Sequence, residues 1–142
     1  MHLITDHLAV GDSDDAEHPH WLMSAILNVA SETTVLPPKG RTYHWIPFAE
    51  FAAADPLQLD EAVSWLEQHK KGSRLLICCR AGIGRSASVA IAYLCLVEGF
   101  SYPQAVALVA TQRPGASPLP ELETTIRFVG DLRRKRFNGR NA

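Results

Sequence analysis

Apolar residues fall in short runs between turn formers along the first half of the chain and at helical spacing along most of the second. Leu8-Ala9-Val10 before Gly11-Asp12, and Ala25 to Ala30 before Ser31-Glu32, read as strands. Asp14 to Met23 between them suggests a short helix whose ends are blurred by His18-Pro19-His20. Val35 to Gly40 reads as a loop. Thr42 to Ile46, aromatic and β-branched, reads as a third strand that Pro47 stops. Phe48 to Asp55 reads as an exposed, alanine-rich connection.

From Leu57 to Lys70, Leu59, Ala62, Val63 and Leu66 recur at helical spacing, and Gly72 supplies a stop. Arg74 to Cys79 is a continuous apolar run after Gly72-Ser73, the pattern of a strand covered on both faces, and it implies a central sheet. A glycine loop, Arg80-Ala81-Gly82-Ile83-Gly84, follows at once. Ser86 to Glu98 is then apolar almost all round, as in a buried helix, and Gly99 closes it. Ser101-Tyr102-Pro103 has the chemistry of an N-cap and first turn, leading a helix through Thr111 that ends at Arg113-Pro114. A last helix starts near Pro120-Glu121, with Leu122, Ile126 and Val129 on its apolar face. It runs into Arg133-Arg134-Lys135-Arg136, expected to be a solvated helix end that complements the dipole, and about 137–142 reads as a tail.

At 142 residues the chain suits one domain with one active site. The formal net charge of -1 gives no overall field for nucleic acid or anionic membrane, so an anion has to be captured locally. The apolar runs are too short for the roughly 20 residues that span a bilayer, and the N-terminal residues lack the pattern of a secretory signal. Three cysteines, two of them adjacent, do not form a disulfide framework; reduced thiols in a cytoplasmic protein are expected. The six histidines show no metal-ligand spacing, so no metal is expected.

Cys79 closes the buried run, Gly82 and Gly84 lie inside the loop, and Arg85-Ser86 opens a helix. A cysteine six positions before an arginine is weak evidence alone. In this context it describes a backbone cradle for a phosphate-sized dianion. Glycines let successive N–H groups point inward, and the helix N-terminus adds partial positive charge at the same place. Those groups and Arg85 favour thiolate over thiol at Cys79. The amides of Arg80, Ala81, Gly82, Ile83 and Gly84 are candidate phosphate contacts, and Arg85 can donate two parallel hydrogen bonds that lysine cannot reproduce. Ser86 can reach the Cys79 sulfur and stabilise it as a leaving group, or it can serve as an ordinary N-cap.

Cys79-Arg80-Ala81-Gly82-Ile83-Gly84-Arg85-Ser86 resembles the signature loop of the cysteine-based protein tyrosine phosphatases, dual-specificity branch. Ile26 to Ala30, Tyr43 to Pro47, Ala90 to Leu94 and Arg113-Pro114 through Pro118 resemble stretches found in that order in such domains. The resemblance implies an α/β fold, a mixed central sheet flanked by helices on both sides, forming a single phosphatase catalytic domain over 1–142. It implies hydrolysis of phosphomonoesters through a phosphocysteine, without a cofactor, by a monomer. The loop's place in mid-chain argues against low-molecular-weight phosphatases and arsenate reductases, whose loop lies near the N-terminus.

Two positions depart from the family pattern. Cys78 stands where histidine is usual; alternation along the strand should point it away from the pocket, giving weaker tuning of Cys79. The general acid is usually aspartate, whereas laying Ile46 to Glu50 on the corresponding stretch places Glu50 there, with Asp55 as the rival. Cys95 reads as core. Ala81, Ile83 and Gly84 carry no charge, which disfavours highly anionic inositol lipids and favours a phosphorylated protein, phosphotyrosine above all, or a small aryl phosphate. The alternatives are a phosphate-binding pseudophosphatase module and a sulfurtransferase of the rhodanese kind, whose loop is normally one residue shorter.

Overall fold

In the computed structural model, residues 1–36 and 39–140 are described; Pro37 and Pro38 of the expected loop, and 141–142 of the expected tail, lie outside them. Strand β5 (Leu75–Cys78), the most continuous apolar run, occupies the middle of a five-stranded sheet ordered β1-β2-β5-β3-β4. Its neighbours β2 (Leu8–Gly11) and β3 (Ala25–Ala30) pair with it in parallel, and β4 (Thr42–Phe48) pairs in parallel with β3. The short β1 (His2–Leu3) lies antiparallel to β2 at the opposite edge. The sheet is therefore mixed, as expected. Period-two alternation sends Leu75 and Ile77, with Leu8, Val10 and Leu27, to one face and Leu76 and Cys78, with Ala9 and Ile26, to the other.

Helix α1 (Ser13–Glu17) covers the second face, where Ala16 and Met23 pack on Ile26 and Leu76. The first face carries α2 (Pro56–His69), α3 (Arg85–Leu96), α4 (Tyr102–Gln112) and α5 (Leu122–Arg140). Local chemistry sets their starts. The Asp55 side chain caps α2, with Pro56 in the first turn, and Ser101 and Gln104 form a reciprocal capping box on α4. Helix α3 is buried over most of its length, so it forms the spine of this layer.

Five expectations change. Helix α1 ends at Glu17, because proline disfavours helical geometry in the preceding residue and so resists extension beyond His18-Pro19. The strand expected to stop at Pro47 continues to Phe48. Strand β4 is an edge, and a register irregularity opposite Asn28–Ala30 accommodates a residue that has no N–H to give. Phe48, read as exposed, is fully buried. The basic cluster is not simply solvated: Arg133 and Arg136 cross to α2, where both meet Asp60 and Arg133 also meets Glu67 at 2.7 Å. The chain expected as a tail from 137 on is helical through Arg140. Strand β1, only two residues long, carries no periodic pattern that would have announced it.

Phe48 joins the edge strand to the core, so Phe48→Ala is expected to lower stability by about 3–5 kcal/mol. Urea unfolding would show this as a lower midpoint with an unchanged slope.

Candidate active site

A trans peptide holds its C=O and the following N–H on opposite sides, so each carbonyl turned out of a loop turns the next amide in. Between Cys79 and Gly84 four carbonyls are held from outside by firm bonds and one by a long contact. Cys79 C=O accepts from Ser13 Oγ at 3.5 Å, Ala81 C=O from Arg113 Nη2 at 3.1 Å, and Gly82 C=O from Arg113 Nε at 2.9 Å. Ile83 C=O accepts from the Ser117 amide at 2.7 Å, and Gly84 C=O from Ser88 Oγ at 2.8 Å. The amides of Arg80, Gly82, Ile83, Gly84 and Arg85 are thereby turned inward, at the N-terminus of α3. Gly82 has φ +72, and a Cβ there would lie 2.5 Å from Arg113 Nη2 and 2.6 Å from the Gly11 carbonyl, so only glycine fits.

Cys79 sits at the floor, on the continuation of β5 into the loop. Its Sγ lies 3.2 Å from the Gly82 amide, which donates to it, and 3.2 Å from Ser86 Oγ. Ser86 is in the first turn of α3 but does not cap it; Gly84 holds the N-cap position and offers no side chain. Cys78 points to the α1 face, where burial pushes its thiol well above the usual range, and it fills space there as a small neutral group. Cys95 packs near the end of α3, beside Gly130 and Arg134 of α5, and its thiol is raised to about 11 by burial.

Arg85 is 2% exposed, and its guanidinium is gripped by Glu32 through Nη1 at 2.7 Å and Nη2 at 2.5 Å. Nη1 also donates to the Phe48 carbonyl at 3.2 Å. Of the five guanidinium donors, these bonds use three. The two left without a partner among the described residues are Nε–H and the second Nη2 proton, which lie along one edge and form the fork that matches two oxygens of a phosphoryl group. The Arg85 guanidinium holds the Glu32 carboxyl down at about 2, so Glu32 is an anion at neutral pH and no source of protons. Glu32 in turn raises Arg85 further.

Glu32 is the residue that sequence reading missed. Ser31-Glu32 signals only a turn, and its bearing on the loop depends on β3 lying next to β5, which places the end of β3 beside the start of the loop. Buried Asn28 shapes that turn: its side chain accepts from the Ala30 amide at 3.0 Å and donates to the Thr33 carbonyl at 2.9 Å.

Above Cys79 and Arg85 opens a cleft of about 520 Å³, within the ordinary range for small-ligand sites. Ala81, Ile83 and Gly84 line it from the loop, Glu50 and Phe51 from the segment after β4, and Ser117 to Pro120 from the segment after α4. The last wall is tied down by Ser88, whose Oγ accepts from the Leu119 amide at 2.9 Å while donating to Gly84. Glu50 is exposed and lines the cleft. Asp55 does not; its carboxylate accepts from the Leu57 and Gln58 amides at 2.8 and 3.2 Å as the cap of α2. The Asp-Pro pair at 55–56 could have announced that role. The Arg80 side chain is exposed and lies outside the cleft lining, so its backbone is what the loop uses. Cys79, Ser86, Arg85 and Glu50 are thus brought together, and Asp55 is not.

The family model described as dual specificity phosphatase, catalytic domain, matches residues 13–134. The human dual specificity protein phosphatase 5 is 31% identical over 98 residues, 68% of this chain and 26% of that protein. Protein phosphatase Slingshot homolog 3 of Rattus norvegicus is 30% identical over 128 residues, 82% of this chain and 19% of that protein. The chain spans only about a quarter or less of these two relatives' own length. Among solved structures, human DUSP28 superposes with a TM-score of 0.83 at 21% identity, covering 96% of this chain and 99% of that one. DUSP15 gives 0.79 at 23% identity, covering 94% and 92%. These two likenesses bear on the fold alone.

Because Glu32 is depressed in the folded state, its pairing adds stability above the ordinary carboxylate pKa near 4.5, and that stability is lost as pH falls through about 2. Wild type and Glu32→Gln should therefore differ most in urea midpoint at pH 6, and the gap should shrink steadily below pH 4.5. A gap independent of pH would contradict the ion pair.

Proposed function

Since the chain belongs to the dual-specificity phosphatase family, we propose that it is an active phosphatase hydrolysing phosphomonoesters through a phosphocysteine at Cys79, with phosphotyrosine in a protein as the favoured substrate. The observation that carries this reading is the convergence on the Cys79 sulfur of the Gly82 amide and the Ser86 hydroxyl, beneath a cradle whose Arg85 keeps one bidentate edge free.

In the first step Cys79 Sγ attacks phosphorus, and the bond to the ester oxygen breaks. The inward amides and the Nε/Nη2 edge of Arg85 hold the three equatorial oxygens as charge spreads over them. Glu50, protonated at this stage, gives its proton to the leaving oxygen. Water then attacks the phosphocysteine, Glu50 takes a proton from it, and the P–S bond breaks with the electron pair returning to sulfur. There the Ser86 hydroxyl and the Gly82 amide meet it, and inorganic phosphate leaves. Glu32 serves as a positioning residue that fixes the plane of Arg85. Its ionised state removes it from the contest for the proton, and Asp55 is committed to its cap. A nucleophilic thiol must stay reduced, so the reading carries a cytoplasmic setting with it.

Substrate choice follows from the walls. Phe51 is 84% exposed at the rim, and Ile83 faces the same cleft. Arg85, already paired with Glu32, is the one cation among the lining residues. An aryl ring can bury itself there, worth about 0.5–1.5 kcal/mol for an aromatic pair. A second anionic group would find no partner.

Steady-state hydrolysis of p-nitrophenyl phosphate across pH tests the reading. Cys79→Ser should abolish activity, Glu50→Gln should lower kcat about 100-fold and flatten the alkaline limb, and Asp55→Asn should keep that limb. An inactive wild type that still binds vanadate would support instead the phosphate-binding pseudophosphatase, the reading favoured by Cys78 standing where the family usually has histidine. With peptides, kcat/KM should be higher for phosphotyrosine than for phosphoserine.

A further inference from the structure

Arg113 is a buried cation, 8% exposed, at the end of α4. Among the described residues no carboxylate pairs with it. Its guanidinium instead donates through Nε to the Gly82 carbonyl at 2.9 Å, through Nη2 to the Ala81 carbonyl at 3.1 Å, and through Nη1 to His2 Nδ1 at 2.7 Å. A guanidinium can only donate, so Nδ1 of His2 must accept, and the ring carries its proton on Nε2. One rigid plane thus binds two loop carbonyls on one side and an imidazole from the edge strand β1 on the other.

Those carbonyls are the ones whose orientation turns the amides of Gly82 and Ile83 inward. The plane of Arg113 therefore sets the direction of two donors in the cradle, one of which reaches the Cys79 sulfur. His2 is the outermost anchor of that plane. It is exposed on a two-residue strand and contributes nothing to the core, yet its partner is buried directly behind the loop. Strand β1 is held to β2 by the pairs His2 with Val10 and Leu3 with Ala9, and the end of β2 supports the loop through the Gly11 carbonyl, which accepts from the Cys79 amide at 3.4 Å. The histidine is thus registered against the strand that carries the loop's other backing.

We propose that His2 is a positioning residue for the phosphate loop, acting through Arg113 to aim the Gly82 and Ile83 amides. The proposal rests on the cradle binding a phosphate-like anion, as in the function proposed above. Removing the acceptor frees one arm of the fork, lets the guanidinium rotate, and loosens the two carbonyls without opening the core.

The test is equilibrium binding of orthovanadate by the full chain in a phosphine reductant, with kcat and KM on p-nitrophenyl phosphate and thermal unfolding alongside. His2→Ala and His2→Leu should weaken vanadate binding about fivefold to tenfold, with an unfolding midpoint close to wild type. His2→Asn, whose amide oxygen can stand where Nδ1 stands, should recover affinity to within about twofold. In an Arg113→Lys background, the effect of His2→Ala should vanish. Unchanged vanadate affinity in His2→Ala, or His2→Asn behaving like His2→Leu, would overturn the proposal. A loss of affinity that only tracks a lowered midpoint would overturn it as well. Wild type that binds vanadate without turnover would sink the phosphatase reading and leave this test standing; wild type that binds none would overturn both.

Discussion

An anion cradle made of backbone amides has to be built inside out. Each inward N–H sends a carbonyl outward, and a buried carbonyl without a donor costs as much as a lost hydrogen bond. The donors around Cys79 to Gly84 come from α1, the end of α4, the segment after α4 and the first turns of α3, drawn from residues 13 to 117. Much of the tertiary structure around the parallel strands can be understood as bringing those donors to one place. Gly82 shows how tight the fit is, since a single methyl there would collide with both Arg113 and β2.

The two arginines solve opposite problems. Arg113 is neutralised by carbonyl and imidazole dipoles behind the loop, and its charge is spent on geometry. Arg85 faces the cleft and is neutralised on its end by Glu32, which leaves the side edge for a ligand. Breaking a buried ion pair typically costs about 3–5 kcal/mol, whereas a single neutral hydrogen bond contributes about 0.5–1.5. The Arg85–Glu32 contact is partly exposed on the Glu32 side, so it sits below that upper figure. It is a charged, two-point tie between the end of β3 and the loop, and it explains why a turn residue outside the signature bears on the site.

The departures at Cys78 and Glu50 fall on different faces of the problem. Cys78 lies across the sheet from the cleft with its thiol neutral, so its effect on Cys79 passes through packing and not through a direct bond. Glu50 lines the cleft itself, and in the mechanism proposed above its extra methylene bears directly on where a proton is delivered. The chain matches only a minor part of the relatives' length, so the proposed substrate rests on the walls of the cleft and not on theirs.

What the sequence determined by itself was whatever local chemistry encodes: the double-faced apolar run of β5, the glycine loop after it, the buried face of α3, the cap at Ser101, and the succession of Cys79, Arg85 and Ser86. These are set within a few residues by periodicity, turn geometry and hydrogen-bonding preference. The tertiary structure alone decided that β3 lies beside β5, and so that Glu32 grips Arg85. It also decided that β4 can carry Pro47 because it is an edge, and that Arg113 and His2, far apart in the chain, meet behind the loop. Contacts of that kind depend on strand order and on which elements pack against which. No short-range pattern encodes them, because the residues that meet are brought together by burial of the whole apolar surface and not by their own neighbours in sequence.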